Sequence, residues 1–244
     1  MYLLFRDINE DQKATAIDSL IKDSSPNPSF FFLIVMSVLM STFGLLINSP
    51  SVIIGSMLIA PILSPILSIA LGITVGDNLL LRRSGFTIIK SLFYSIGVSA
   101  LTTWLLWGVV KGNELMSVYN PEILSRTEPS IVYLFIAIIA GLATAFARVK
   151  PELNDTLPGT AIAVALVPPI ATVGIGVATL NLTIISGALS MFLLNAIGIV
   201  IAAMVMFSLM NIYSKKKVVE TSIKEVEQEN KILERKIAQE KKKG

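Results

Sequence analysis

The chain contains neither cysteine nor histidine. The first absence excludes disulfides and thiol chemistry, and the two together remove haem ligation and the usual zinc constellations. There is no phosphate-binding glycine loop ending in Gly-Lys-Ser/Thr, no HExxH pair and no nucleophile elbow. Enzymatic activity therefore has nothing to stand on, and no cofactor or metal is implied. Charge is scarce too: Asp, Glu, Lys and Arg make up 15% of the 244 residues, against 53% hydrophobic. With a mean hydropathy of +0.73, this composition lies outside that of soluble domains. The net charge is only +3, and ten of the twenty Lys and Arg follow Ser214, so the basic balance belongs to a tail. It does not describe a nucleic-acid face. Charged residues within the first seven positions and the lack of a small-residue cleavage site lead us to expect no removable signal peptide.

What is present is a set of long charge-free runs. No Asp, Glu, Lys or Arg occurs between Asp23 and Asp77, Lys90 and Lys111, Glu128 and Arg148, or Asp155 and Lys215. A helical crossing takes about 20 apolar residues, so these runs hold two, one, one and two spans. The expected fold is an all-α integral membrane domain with six transmembrane helices near 30–47, 51–75, 88–110, 130–147, 157–180 and 184–213. Asn48-Ser49-Pro50 supplies a cap and a first-turn proline for the second span, and Asn154-Asp155-Thr156 with Pro158 does so for the fifth. The chain divides into an N-terminal amphipathic segment (1–29), the membrane domain (30–213) and a tail (214–244). In the first of these, Asn9 and Gln12 form a capping pair, and Ile17, Leu20 and Ile21 share a face. Arg6, Lys13, Lys22, Arg82, Arg83, Arg148, Lys150 and the tail fall on one side, Lys111 and Arg126 on the other. The expectation is a plasma-membrane protein with both termini cytoplasmic. Trp104 and Trp107 serve as interfacial anchors near the outer end of the third span.

Two apolar stretches carry prolines where a helix would cross the bilayer. Pro61 and Pro65 interrupt the second span, and Pro168 and Pro169 the fifth. Each removes a backbone donor and crowds the preceding turn, so each span must kink or break. Set at an offset of 104 residues, the two stretches pair Gly55 with Gly159, Pro65 with Pro169, Ile66 with Ile170 and Gly72 with Gly176. Ser56 then meets Thr160, and Ser68 meets Thr172. Three spans per half make this an inverted 3+3 repeat.

In hydrocarbon every backbone polar group needs a partner, so the groups freed at the prolines must be buried in protein or line a wet cavity. Together with Ser64, Ser68, Thr172 and, mid-way along the sixth span, Asn195, they form a set of neutral oxygens suited to a dehydrated cation or a small polar solute. The plainer alternative is that the prolines only kink helices and the hydroxyls bond back to their own helix; Asn195 then simply joins a neighbour. No carboxylate, lysine or arginine lies in the middle of a predicted span, which argues against a proton pump. Asp77 and Asp155, at the membrane edges, read as caps or as ion-entry groups. Gly72-Ile-Thr-Val-Gly76 and Gly108-Val-Val-Lys-Gly112 permit close helix packing.

In the tail, Val219, Ile223, Val226, Asn230, Leu233 and Ile237 alternate at spacings of four and three, a heptad seam. It reads as a cytoplasmic coiled coil joining protomers of a homo-oligomer, or as one solvated amphipathic helix.

The run Ile54-Gly55-Ser56-Met57-Leu58-Ile59-Ala60-Pro61 followed by Ser64-Pro65-Ile66, with Pro158-Gly159-Thr160 through Val167-Pro168-Pro169 downstream, resembles the paired signature of the prokaryotic uncharacterised hydrophobic domain family. The resemblance covers roughly residues 30–213 and implies a multi-span membrane domain without an agreed activity. Many such relatives carry a soluble domain ahead of the membrane part; here about 29 residues precede the first predicted span. The expected function is permeation of a small ion or solute through the broken helices, and the rival is an oligomeric scaffold or lipid-organising protein in which the prolines are architectural.

Overall fold

The computed structural model describes residues 8–108, 118–150, 152–153 and 165–240. Every regular element among them is helical: α1 (Glu10–Asp23), α2 (Pro28–Leu46), α3 (Pro50–Ile59), α4 (Leu63–Val75), α5 (Asn78–Leu105), the single turn α6 (Pro121–Leu124), α7 (Ile131–Val149), α8 (Val167–Ala178), α9 (Leu182–Leu209), a 3-10 turn (Ile212–Lys215) and α10 (Lys216–Glu240). Helices α2, α5, α7 and α9 are each long and apolar enough to cross a bilayer. So is the pair α3–α4 taken together, bent by 53° at its break. Their outer faces expose large apolar side chains such as Phe32, Phe93, Ile139 and Ile197, which suggests a surface that meets lipid.

The helix starts follow from the caps. The carbonyl of the Gln12 side chain accepts from the Asn9 N–H at 2.9 Å. Asn27 Oδ1 accepts from Phe30 at 2.7 Å ahead of Pro28, and Asp77 Oδ1 accepts from Leu80 at 2.7 Å. This last cap starts α5 ten residues before the predicted span at 88, taking Arg82 and Arg83 into the helix. Asp77 is thus a cap. For the fifth span, α8 accounts for the second half only; the first half, with Pro158, Gly159 and Thr160, lies outside the described residues.

Three corners share one construction. At Asp77 the N–H donates to the Gly72 carbonyl at 2.9 Å, and Gly76 takes a left-handed φ of 69°. At Asn181 the N–H donates to the Gly176 carbonyl at 2.9 Å, with Leu180 at φ 54°. At Ser49 the N–H donates to the Gly44 carbonyl at 2.8 Å, with Asn48 at φ 53°. Each is a helix end of Schellman type whose next residue caps the following helix. The glycine five residues before the cap has no side chain because the returning helix lies against it. A Cβ on Gly72 would come within 3.3 Å of the Leu81 nitrogen, one on Gly176 within 3.0 Å of Ile185 N, and one on Gly44 within 3.0 Å of Ile53 N. The packing expected of Gly72 is therefore present, whereas Gly76 has nothing near it and serves the turn. Leu180 holds without glycine's freedom a conformation that costs an L-residue roughly 1–2 kcal/mol.

These contacts define two ends of the bundle. At one end Arg148 pairs with Asp23, Lys215 with Glu10 at 2.5 Å, and Arg83 Nη2 donates to Ser25 Oγ at 3.1 Å. At the other, Asn120 Nδ2 donates to the Leu45 carbonyl at 2.6 Å, and Asn181 lies 3.3 Å from the Tyr119 hydroxyl. Helix α5 runs from the first end to the second, and α9 runs back. Both span 28 residues, at an offset of 104.

The tail finds a partner inside its own chain. Helix α10 packs on α1, where Val219, Ile223 and Val226 are buried in the same apolar cluster as Ile17, Leu20 and Ile21. The first half of the heptad seam is thereby spent within the chain and is not free to join a second copy. Asn230 is half-buried, Leu233 is exposed, and the side chain of Ile237 lies outside the described residues. Lys13 and Lys215 beside Glu10 hold its carboxyl at about 2, well below the ordinary carboxylate range.

Candidate functional site

The proline positions show how the break is built. Ala60 is extended (ψ 123°), as a residue before proline prefers, and Pro61 opens the gap between α3 and α4. Pro65 then falls in the first turn of α4, and Pro168 and Pro169 in the first turn of α8. There a proline costs no hydrogen bond, because first-turn N–H groups have no partner within the helix. At the other side of the gap the last carbonyls of α3 are left over. That of Ser56 is met by a neighbouring helix: Ser37 Oγ on α2 donates to it at 2.6 Å.

The predicted site residues have different surroundings. Pro61 and Ser64 are half-buried; Pro65, Ser68, Pro168, Pro169, Thr172 and Asn195 are buried. Ser68 Oγ donates to the Leu20 carbonyl at 3.4 Å, tying α4 to α1. Helix α4 packs on α5, α9 and α1, while α8 packs on α5, α9 and α2; an extended contact between α4 and α8 is not among the close pairings of described helices. The two short helices share the long ones as neighbours.

The polar feature that dominates the interior was missed in the sequence. Apart from Leu80, the buried side chains of α5 are all hydroxyls: Ser84, Thr87, Ser91, Ser95, Ser99, Thr102 and Thr103. Spaced by three and four, they run along one face of a helix whose outer face is apolar. The signal was legible as a stripe of Ser and Thr at helical spacing within 84–103. Some bond back to their own helix, as Ser91 does to the Thr87 carbonyl at 2.7 Å and Thr103 to Ser99 at 2.9 Å. Ser99 instead reaches across: its hydroxyl donates to the Ala171 carbonyl of α8 at 2.7 Å, and Thr42 Oγ1 of α2 lies 2.9 Å from it. Helix α8 comes this close because Gly174 faces Ser99, where a Cβ would sit 2.4 Å from the serine Cβ.

Four hydroxyls in this layer, Ser41 of α2, Ser84 and Ser95 of α5 and Thr172 of α8, have no hydrogen-bond partner among the described residues. None is more than 1% exposed. A buried polar group without a partner costs about 1–3 kcal/mol. Neutral hydroxyls both donate and accept, which suits water, a small uncharged solute or a partly dehydrated monovalent cation. Among the described residues no group of three or more acidic side chains is placed to hold a metal ion.

Residues 57–201 match the family model described as Domain of unknown function (DUF389). The chain is also similar to an uncharacterized protein of Methanocaldococcus jannaschii, 32% identical over 177 residues, which is 72% of this chain and 52% of the relative. The match thus spans about half the length of that relative. No solved structure matches the chain.

Proposed function

We propose that this chain, which belongs to the family of DUF389 domains, passes a small ion or polar solute across the plasma membrane along the hydroxyl face of α5. The observation that carries the reading is the four buried hydroxyls on α2, α5 and α8 that have no partner among the described residues. In a bilayer such groups are retained where a polar occupant repays them. The architecture proposed is six spans in an inverted 3+3 repeat. The equal lengths of α5 and α9, their opposite directions and the matching corners at Gly76 and Leu180 support it. Thr172, Asn195, Ser64 and Ser68, with the carbonyls freed at the prolines, would serve the same path. The basic residues gathered with α1 and α10 at one end support a cytoplasmic location for that end. We read the chain as a permeation protein and not an enzyme.

Flux of potassium, sodium and a small neutral polyol into liposomes carrying the full chain tests the proposal. Thr172→Val and Ser95→Ala each remove a hydroxyl at little cost in volume. Flux above empty-liposome background that falls at least several-fold in both variants, with thermal stability kept, is expected. Background flux of all three solutes in the parent chain sinks it.

One observation favours a second reading. Ile232 and Leu233 of α10 remain exposed beyond the part covered by α1. They support self-association through the distal tail, and a scaffold role without transport would then be lost on removing residues 228–244 while any flux persisted.

A further inference from the structure

The outer face of α5 carries two adjoining cavities that share one residue, Phe86. The lower, of about 560 Å³, lies between the start of α5 and the distal part of α10 and is bordered by Arg82, Arg83, Lys231 and Glu227. Three cations face one carboxylate there, at the polar end of a membrane-spanning helix. The upper, of about 530 Å³, is a groove on the exposed side of α5 bordered by Ile89, Lys90, Phe93, Gly97 and Leu101. It is apolar except for Lys90, whose ammonium lies 4.9 Å from the centre of the Phe31 ring. At 1.5 Å per residue, Phe86 to Leu101 spans about 22 Å, more than one leaflet's share of a hydrocarbon core about 30 Å thick.

We infer that these cavities together bind one anionic phospholipid, its headgroup phosphate between Arg82, Arg83 and Lys231 and an acyl chain along the groove past Phe86 to Gly97. The complementarity is of two kinds at once. Net positive charge sits at headgroup depth, where each basic residue favours an anionic lipid, and a continuous apolar trough begins where the charges stop. A second copy of the chain laid on this face would bring three cations against the single carboxylate, Glu227, that borders the cavity. Arg83 is held by Ser25 and by the Ile223 carbonyl at 3.4 Å, so the phosphate site is partly preformed. Because Lys231 and Glu227 belong to α10, an occupied site also fastens the tail to the bundle. The inference does not rest on the permeation reading.

The full chain in mild detergent is offered phosphatidylglycerol and phosphatidylcholine with identical acyl chains, and retained lipid is read by native mass spectrometry. Preferential retention of phosphatidylglycerol is expected. Arg82→Ala with Lys231→Ala, both exposed in the parent, should reduce that preference by roughly 25-fold, from about fivefold per basic residue. Gly97→Leu fills the groove, since a Cβ there meets nothing within 4 Å, and should weaken retention of the same lipid while millimolar inorganic phosphate leaves it in place. Equal retention of the two lipids by the parent chain overturns the inference. So does displacement by free phosphate, or variants that change the number of subunits and leave lipid retention as it was.

Discussion

Helices α5 and α9 are the same object built twice with opposite interiors. Each follows a left-handed corner, is capped by Asp77 or Asn181 and runs 28 residues. Their buried faces are in register at the offset of 104: Ser84 answers to Ala188, Thr87 to Met191, Ser91 to Asn195, Ser95 to Ile199, Ser99 to Ala203 and Thr103 to Phe207. One face is hydroxyl throughout, and the other is apolar with a single amide. The caps and corner glycines are common to both, so they account for the shared backbone. The hydroxyls are not shared, and of them Ser99 ties α5 to α8 and α2. The difference separates what the two helices need in common from what only one of them carries.

Exchanging chemistry between equivalent positions is the sharpest way to break the comparison. Ile199→Ser removes a fully buried aliphatic side chain and installs a hydroxyl, and should cost about 2–5 kcal/mol. Ser95→Ala at the matching position should cost less than about 0.5 kcal/mol or stabilise slightly, because its hydroxyl has no partner among the described residues to lose. Thermal unfolding of both variants in one detergent decides it, and equal losses would show the two interiors to be energetically alike. A smaller effect is expected where α8 meets α5. Gly174→Ala drives a methyl into the Ser99 side chain and the Ile96 carbonyl 2.8 Å away, for a loss of about 1–3 kcal/mol. Its counterpart on α4 is already Ala70, fully buried, so the two seams differ in how near the helices approach. The smallest effect concerns the ion pair that ties α1 to the 3-10 turn ahead of α10. Glu10 has its carboxyl lowered to about 2 from 4.5. Its contribution is therefore complete above pH 4.5 and is lost as pH falls through 2. An acid titration of tail accessibility to a protease should show loosening in that window, and Glu10→Gln should abolish the pH dependence while leaving the apolar contacts in place.

Much of the helical layout was legible because its signals are local. Charge-free runs locate α2, α7 and α9 to within a few residues, and Asn9 with Gln12 starts α1. The predicted start of α5 is ten residues late because Arg82 and Arg83 read as loop charges, whereas Asp77 caps the helix ahead of them. The hydroxyl face is present letter by letter at 84–103, but Ser and Thr at helical spacing do not by themselves say which side of a helix is buried. The coverage of Val219, Ile223 and Val226 was not legible at all. A heptad pattern states that a helix needs an apolar partner, and nothing local says that α1, some 200 residues earlier, supplies it.

The gap at Pro61 divides one passage through the membrane between two owners. Its upper rod, α3, is fastened to α2 by Gly44 against Ile53 and by the Ser37 hydroxyl, and its lower rod, α4, is fastened to α1 and α9. A continuous helix in that place would weld those neighbours into one block. With the break at Ala60–Ile62, no continuous run of helical hydrogen bonds links α3 to α4, and each rod takes its position from its own neighbours.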